Sequence, residues 1–332
     1  MARASDSFAS ALTALLNALV FNAKQTMAHS LDSSRLVALW KNVEQTAVRV
    51  IAIQEPIMRL ASRLIQQTTK SLTIEALSKY QMGYAVSDAT TAIGVSIREV
   101  CHLARDHHQP IIVAKLDIAG AFDSVPFSAI QAAVAAAGWP KPIQDFVRVR
   151  QERETMTFGD EQLERSMGMP QGSSDSPAIF PLVLDPVLRK TAEGMPDFNI
   201  NGIALPPVLA YQDDVYLVAS NIANMQEMIN RYIKWISRLG MQIRPEKGWC
   251  YGCNPKRVPS VNGQELPIIK WDTPGIDILG VPFGGPDQIA AAQEKAAKLI
   301  ENDMRQLHVI PDKLVPEEVK VFLTLSCVPP RM

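Results

Sequence analysis

Val208-Leu-Ala-Tyr211-Gln-Asp213-Asp214-Val-Tyr-Leu-Val-Ala219 is the stretch whose reading decides the fold. Two apolar runs flank Gln212 and Asp213, a pattern that predicts a β-hairpin whose tight turn carries adjacent carboxylates. Two acids held side by side against apolar strands repel one another and raise each other's pKa unless a cation or a donor neutralises them. A divalent metal does this, although Asp-Asp also suits an ordinary surface turn. Upstream, Ile111-Ile-Val-Ala-Lys-Leu-Asp117 is a short β-branched run that ends on a carboxylate. Asp117 alone fits the N-cap of a following helical turn. Set beside the Asp-Asp hairpin, it adds a third hard oxygen donor, as a two-metal clamp for phosphoryl transfer requires.

The rest of the chain is ordinary in composition. Its 332 residues are 47% hydrophobic and 20% charged, which suits about two domains' worth of globular chain and excludes disorder, collagen and coiled coil. The apolar run Ala11 to Phe21 is interrupted by Thr13 and Asn17, too short to span a bilayer, and reads as an amphipathic core helix and not a signal peptide. No membrane association and an intracellular location are therefore expected. Four cysteines are too few for a disulfide framework. Cys250-Tyr-Gly-Cys253 has the spacing of half a zinc site but no second pair, so both are read as strand cysteines. Thirty-three basic against 34 acidic residues leave a net charge of -1. Between Asn230 and Ser260, however, Arg231, Lys234, Arg238, Arg244, Lys247, Lys256 and Arg257 face only Glu246, either a patch for phosphates or a solvated helix face.

Apolar residues at three- and four-residue spacing predict helices over Phe8 to Thr26, Ser34 to Val48, Glu55 to Thr69 and Ser87 to Arg105. A helix is expected from Pro126 to Ala137, mixed strands and helices follow to Gly285, and helices return at Pro286 to Leu307 and Pro316 to Ser326. No internal repeat or long linker divides the chain.

Lys115-Leu-Asp117-Ile-Ala-Gly-Ala-Phe122-Asp123-Ser-Val125 resembles motif A of reverse transcriptases, and Tyr211-Gln-Asp213-Asp214 resembles their Tyr-x-Asp-Asp box. Gly168-Met-Pro-Gln171-Gly172-Ser-Ser-Asp-Ser176-Pro177-Ala-Ile-Phe180 is similar to motif B, Gly240-Met-Gln-Ile-Arg-Pro-Glu-Lys247 to motif D, and Ile278-Leu279-Gly280 to motif E. Upstream, Arg49-Val-Ile-Ala through Leu64 resembles the first fingers motif and Gln81-Met-Gly83-Tyr84 the start of the second. The match runs over roughly residues 45 to 330, with motifs in the family's order, and its style is that of non-LTR (LINE-type) retrotransposon enzymes.

The resemblance implies an α+β right-hand polymerase with an antiparallel palm sheet. The expected division is a helical N-terminal segment and fingers over 1–108, a palm with residual fingers elements over 109–285, and a short helical partial thumb over 286–332. It implies an RNA-directed DNA polymerase whose partners are an RNA template, a DNA primer and dNTPs. Asp117, Asp213 and Asp214 would hold two Mg²⁺, with Mn²⁺ as a substitute, and Lys247 would protonate departing pyrophosphate. Phe122 would be the aromatic gate beneath the sugar that rejects a 2′-hydroxyl, while Gln171, Gly172, Arg49 and Tyr211 would bind template and nucleotide. Gly172 lets the backbone approach a base pair closely, ahead of a helix with Ser176 as N-cap and Pro177 in its first turn.

Some positions depart from the family pattern. After the second fingers motif the family has Arg or Lys that grip the triphosphate; here Ala85-Val-Ser-Asp88-Ala-Thr follows, with no basic residue before Arg98, so Arg49 or Arg59 must serve. Pro181 and Pro186 fall inside the helix after motif B and predict a bend or break. No endonuclease, RNase H or integrase segment is found, so the chain is expected to be a fragment of a larger element protein or a decayed copy. The competing readings are a catalytically silent nucleic-acid-binding relic and an RNA-synthesising polymerase, the latter opposed by Phe122.

Overall fold

A computed structural model of the chain describes residues 6–23, 33–40 and 48–309. Helix α1 (Asp6–Phe21) turns Leu16 and Leu19 into the core, and β1 (Ser33–Trp40) and β2 (Val48–Gln54) pair antiparallel from Ser34 opposite Gln54 to Trp40 opposite Val48. The helix expected over Ser34 to Val48 is thus corrected: Ser34 to Trp40 lie in a strand and Val48 begins the next, while 41–47 lie outside the described residues, and the first 108 residues are not helical throughout. Leu36, Val37, Leu39 and Trp40 satisfy either period, and the pairing with β2 along the strand, joined at its first residues by β4 (Thr155–Phe158) from far along the chain, decides the outcome. Next come α2 (Pro56–Thr68), α3 (Lys70–Ala76) and α4 (Ala89–Asp106).

Strand β3 (Ile112–Leu116) is followed by α5 (Phe127–Ala136), α6 (Lys141–Arg153) and the hairpin β4 (Thr155–Phe158) and β5 (Glu161–Glu164). Parallel pairing of β4 with β1 completes a four-stranded sheet in the order β2-β1-β4-β5. Helix α7 (Ser176–Ala192) leads to the small hairpin β6 (Phe198–Ile200) and β7 (Ile203–Leu205), then to β8 (Val208–Tyr211), β9 (Asp214–Ala219) and α8 (Ile222–Arg238). Beyond lie β10 (Trp249–Tyr251), the hairpin β11 (Ser260–Val261) and β12 (Gln264–Glu265), β13 (Ile268–Ile269), the hairpin β14 (Asp277–Ile278) and β15 (Val281–Pro282), and α9 (Pro286–Val309). The helix expected at Pro316 to Ser326 lies outside the described residues, as does Cys327.

A second sheet runs in the order β13-β10-β3-β9-β8, antiparallel except that β13 lies parallel to β10. It is covered on both faces, which is why its strands read as nearly continuous apolar runs. Ala114, Leu116, Val215 and Leu217 meet α5 to α8, while Val113, Tyr216 and Val218 meet Ile93, Ile97 and Val100 of α4. Gly94 permits close contact between α4 and the β14–β15 hairpin, since a Cβ there would lie 2.5 Å from the Ile278 carbonyl oxygen. Register has a direct consequence for the site. β3 and β9 pair from Ile112–Ala219 to Leu116–Val215, so the next residues at that end of the ladder are Asp117 and Asp214.

Helix α7 continues through Pro181 and Pro186 without the break that was one expected outcome; it is buried on nearly every side and its neighbours hold it. Asp175, and not Ser176, occupies its N-cap position; the Ser176 hydroxyl donates to the Pro170 carbonyl at 3.1 Å. Cys250 lies in β10, but Cys253 lies beyond it, after the Gly252 bend, so only one of the pair is a strand residue. Among the described residues no helix is long and apolar enough to cross a membrane.

The loop before α7 is fastened by buried charge. Arg150 of α6 reaches Asp175 at 2.8 Å and donates to the Ser62 hydroxyl of α2 at 2.8 Å, while the Ser173 hydroxyl donates to the Asp175 carboxylate and to Gln54 Oε1 of β2 at 3.2 Å. Removing one partner of a buried pair strands the other charge. Arg150→Met is expected to lower unfolding stability by roughly 3–5 kcal/mol in urea titration, and adding Asp175→Leu should recover much of the loss. A single-variant loss near zero would show that the pair is not buried in solution.

Candidate active site

The site begins at a strained turn. β8 and β9 pair as far as Tyr211 opposite Asp214, leaving Gln212 and Asp213 as a two-residue turn with Gln212 at φ +55°, where glycine is the usual occupant. Two other segments hold it there. The side chain of Gln81, buried to 1% exposure, donates through Nε2 to the Gln212 carbonyl at 3.1 Å and accepts through Oε1 from the Gln212 N–H at 3.1 Å. In return Gln212 Nε2 donates to the carbonyls of Gly83 at 3.1 Å and Pro177 at 3.2 Å. The Pro177 carbonyl lacks the helical donor four residues on, because Pro181 has no N–H. A Cβ on Gly83 would stand 2.6 Å from the Gln212 nitrogen, so the segment must be glycine there.

Three carboxylates gather at this end of the sheet, and two carry a built-in cation. Arg244 donates to Asp117 Oδ2 through Nε at 2.7 Å and Nη2 at 2.6 Å, and Lys115 Nζ pairs with Asp214 at 2.9 Å. Lys115 and Asp117, two apart, share a face of the strand line. Asp213 has no such partner. Burial, the largest cause, raises its pKa from the ordinary carboxylate value; its own backbone N–H opposes this, the charges of Asp214 and Asp117 add to the rise, and Lys115 lowers it least. Below lies Tyr232 of α8, fully buried, its phenol likewise raised first by desolvation and then by Asp213 and Asp117.

A cleft of about 540 Å³ opens over these groups. Six of the sequence-derived candidates line it together: Asp117, Asp213, Phe122, Gln171, Gly172 and Arg49. Phe122 stacks on the buried Phe180 with centroids 4.5 Å apart. Gly172, at φ +111°, is pressed against β2, where a Cβ would sit 2.6 Å from the Ala52 carbonyl oxygen, and the Ala52 N–H donates to Gln171 O at 2.8 Å. Tyr211, Asp214 and Lys247 are not in the lining. Tyr211 packs half-buried against the α4-side core, and Lys247 is exposed on the short turn Pro245–Lys247. Arg59 is exposed on α2 and also outside the lining, so of the two arginines only Arg49 is at the cleft.

The basic stretch from Asn230 to Ser260 does not form one patch. Arg231 pairs with Glu227 at 2.8 Å, Arg238 lies over the Trp235 ring beside a separate apolar groove, and Arg244 enters the cleft. Sequence reading missed three residues of the site: Lys115, Gln81 and the specific place of Arg244. Lys115 carried a usable signal, its two-residue spacing from Asp117.

Among the described residues no three acidic, histidine or cysteine side chains converge closely enough to hold an ion as they stand. The donor chemistry nevertheless suits a hard divalent cation: carboxylate oxygens, one of them desolvated and facing two like charges. Asp117, Asp213 and Asp214 are the residues that could hold it once Arg244 and Lys115 give way.

Residues 40–283 match the family described as reverse transcriptase (RNA-dependent DNA polymerase). The chain is 24% identical over 259 residues to the Pol polyprotein of the type-2 retrotransposable element R2DM of Drosophila melanogaster, covering 71% of this chain and 24% of that protein. It is 26% identical over 181 residues to an R2 element polyprotein of Popillia japonica, covering 52% of this chain and 28% of that one. The chain thus spans about a quarter of the length of these relatives. In fold it is similar to the truncated apo telomerase of Candida tropicalis, with TM-score 0.51 and 16% identity over 71% of this chain and 54% of that one. The telomerase of the same organism in complex with a telomeric RNA fragment gives TM-score 0.52 at 14% identity, over 72% and 44% of the two chains.

The raised pKa of Asp213 has a measurable sign. A carboxyl whose folded pKa lies above its unfolded value contributes fully to stability below the unfolded value and loses that contribution as pH rises through the folded one. Asp213→Asn should therefore stabilise the metal-free protein at neutral pH, by about 2 °C in Tm if the relief is roughly 1 kcal/mol. The gain should vanish toward acid pH. A variant that melts lower than wild type at pH 7 would contradict this charge balance.

Proposed function

Because this chain belongs to the reverse transcriptase (RNA-dependent DNA polymerase) family, we propose that it extends a DNA primer with dNTPs on an RNA template, as the polymerase part of a non-LTR retrotransposon protein. The observation that carries this reading is the meeting of Asp117, Asp213, Phe122 and the Gln171–Gly172 backbone around one cleft. Divalent ions held by Asp117, Asp213 and Asp214, Mg²⁺ or Mn²⁺, would activate the primer 3′-hydroxyl and neutralise charge on the leaving pyrophosphate.

The other residues position the reactants. Phe122, braced on Phe180, closes the space beneath the sugar and excludes a ribose 2′-hydroxyl by overlap. Gln171 and Gly172 present backbone to the nascent pair, with no side chain at 172 to push it away. Arg49, at the end of the β1–β2 hairpin, meets phosphate. Lys247 is the proposed proton donor to pyrophosphate, and its exposure on the turn after Arg244 leaves it free to approach. Tyr211 acts from behind the turn, as packing support. The reading carries an intracellular setting and the division into fingers, palm and thumb at 1–108, 109–285 and 286–332, with the sheet of β1, β2, β4 and β5 as the fingers' framework.

A silent nucleic-acid-binding relic is the second reading, favoured by one observation: two of the three carboxylates are already paired with protein cations. Primer extension on an RNA template separates the two. If the carboxylates share one metal site, Asp117→Asn and Asp213→Asn should each remove nearly all extension, and the double variant should be no slower than either. No extension by wild type in Mg²⁺ or Mn²⁺ would support the relic. Phe122→Val tests the gate: discrimination between dTTP and UTP should fall by about one to three orders of magnitude, with dTTP incorporation much less affected. A constant ratio, with both nucleotides slowed, would return Phe122 to a packing role.

A further inference from the structure

Among the described residues, Arg244 is the one cation lining the cleft that holds an acid. Its side chain ends on Asp117, yet it is a third exposed, so leaving that carboxylate would strand no buried guanidinium. Its backbone is not free to leave. The Arg244 N–H donates to the Asp117 carbonyl at 2.8 Å, the Ala119 N–H donates to the Gln242 carbonyl at 2.8 Å, and Ile118 and Ile243 form an antiparallel bridge. The short ladder keeps Arg244 beside the strand end whatever its side chain does. Lys115 differs in this respect: it sits within β3, pairs with Asp214, and does not line the cleft.

The cleft is also short of positive charge. Among the described residues Arg49 and Arg244 are the only cations in its lining, and the segment after Gly83 carries none before Arg98, which pairs with its neighbour Glu99 at 2.8 Å. A nucleoside triphosphate brings more negative charge than Arg49 alone can meet. A guanidinium fork suits phosphate and carboxylate equally well, and transfers between them without changing its own charge. A divalent cation arriving at Asp117 would repel the guanidinium there, and the polyphosphate offers it a new partner within the same cleft.

Resting on the polymerase reading above, we propose that Arg244 is an exchangeable counter-ion, pairing with Asp117 in the empty cleft and with the polyphosphate of the incoming nucleotide once a divalent cation takes Asp117. Arg244 then has two effects of opposite sign: it weakens metal binding in the absence of nucleotide and strengthens nucleotide binding in the presence of metal. A merely structural arginine would not divide its effects in this way.

The experiment measures two equilibria on the full chain. Mn²⁺ binding without nucleotide is followed by titration calorimetry, and dTTP binding by fluorescence titration of the Mn²⁺-loaded protein with a primer–template. Arg244→Gln should bind Mn²⁺ about tenfold more tightly and dTTP about tenfold more weakly than wild type. Arg244→Lys, which keeps the charge without the fork, should fall between wild type and Arg244→Gln in both. Thermal melting checks that each variant is folded, and Arg244→Lys decides the matter if Arg244→Gln is not. Mn²⁺ affinity unchanged or weaker, or dTTP affinity unchanged, would overturn the proposal. Primer extension by wild type is scored separately: opposite shifts in a protein that extends no primer would uphold the counter-ion and defeat the polymerase reading.

Discussion

A guanidinium sealed from water must be neutralised where it lies, and Arg150 meets this demand with Asp175. The position of the loop before α7 follows from that pairing. Asp175 cannot move from the buried arginine, so Ser173 is held at Gln54 of β2, and the chain between Pro170 and Ser173 has to run along that strand. Gln171 then pairs with the Ala52 backbone and Gly172 has no space for a side chain. One wall of the cleft is built in this way from a single electrostatic requirement, and the same contact joins the β1–β2 sheet to the helices packed on β3 and β9. Buried ion pairs seldom add net stability over apolar replacements, but they penalise every alternative register. Here the register fixed is that of the loop against the strand.

How much of this was legible follows from the range of the interactions involved. The hairpin at Gln212 and Asp213 and the strand ending at Asp117 are local patterns of apolar run and turn, readable from a dozen residues. Their juxtaposition follows once β3 and β9 pair. The strand at Ser33–Trp40 was not legible, because its spacing also satisfies a helix, and of its two partners only β2 is near in sequence while β4 begins more than a hundred residues later. Distance in sequence hid Arg244 from Asp117 and Gln81 from Gln212 as well: neither pairing has a periodicity, only a geometry. The N-cap of α7 was misplaced by one residue because the acid beside Ser176 answers to a distant arginine.

Charge at the site shows a similar economy. Asp117 and Asp214 stand at the end of adjacent strands, where repulsion would open the sheet unless something opposed it. Lys115 and Arg244 supply the opposition from within the chain, one from the same strand and one from a neighbouring turn. Asp213 is left to bear desolvation without a partner, and its strained neighbour Gln212 is held from two sides. That end of the sheet therefore stays closed, and the least satisfied carboxylate, Asp213, faces the cleft beside the paired Asp117.

The proline at 181 gives the hairpin turn an acceptor it would otherwise lack, and this bears on how such a sequence can drift. A helix proline is an obvious candidate for replacement in any effort to raise stability, since an alanine there would restore a helical hydrogen bond. At this position the restored bond would compete with Gln212 for the Pro177 carbonyl. Positions 181 and 212 are consequently coupled through that carbonyl: with a donor at 181, the Gln212 amide would lean more on its other acceptor, the Gly83 carbonyl, and the turn would be held from one side fewer.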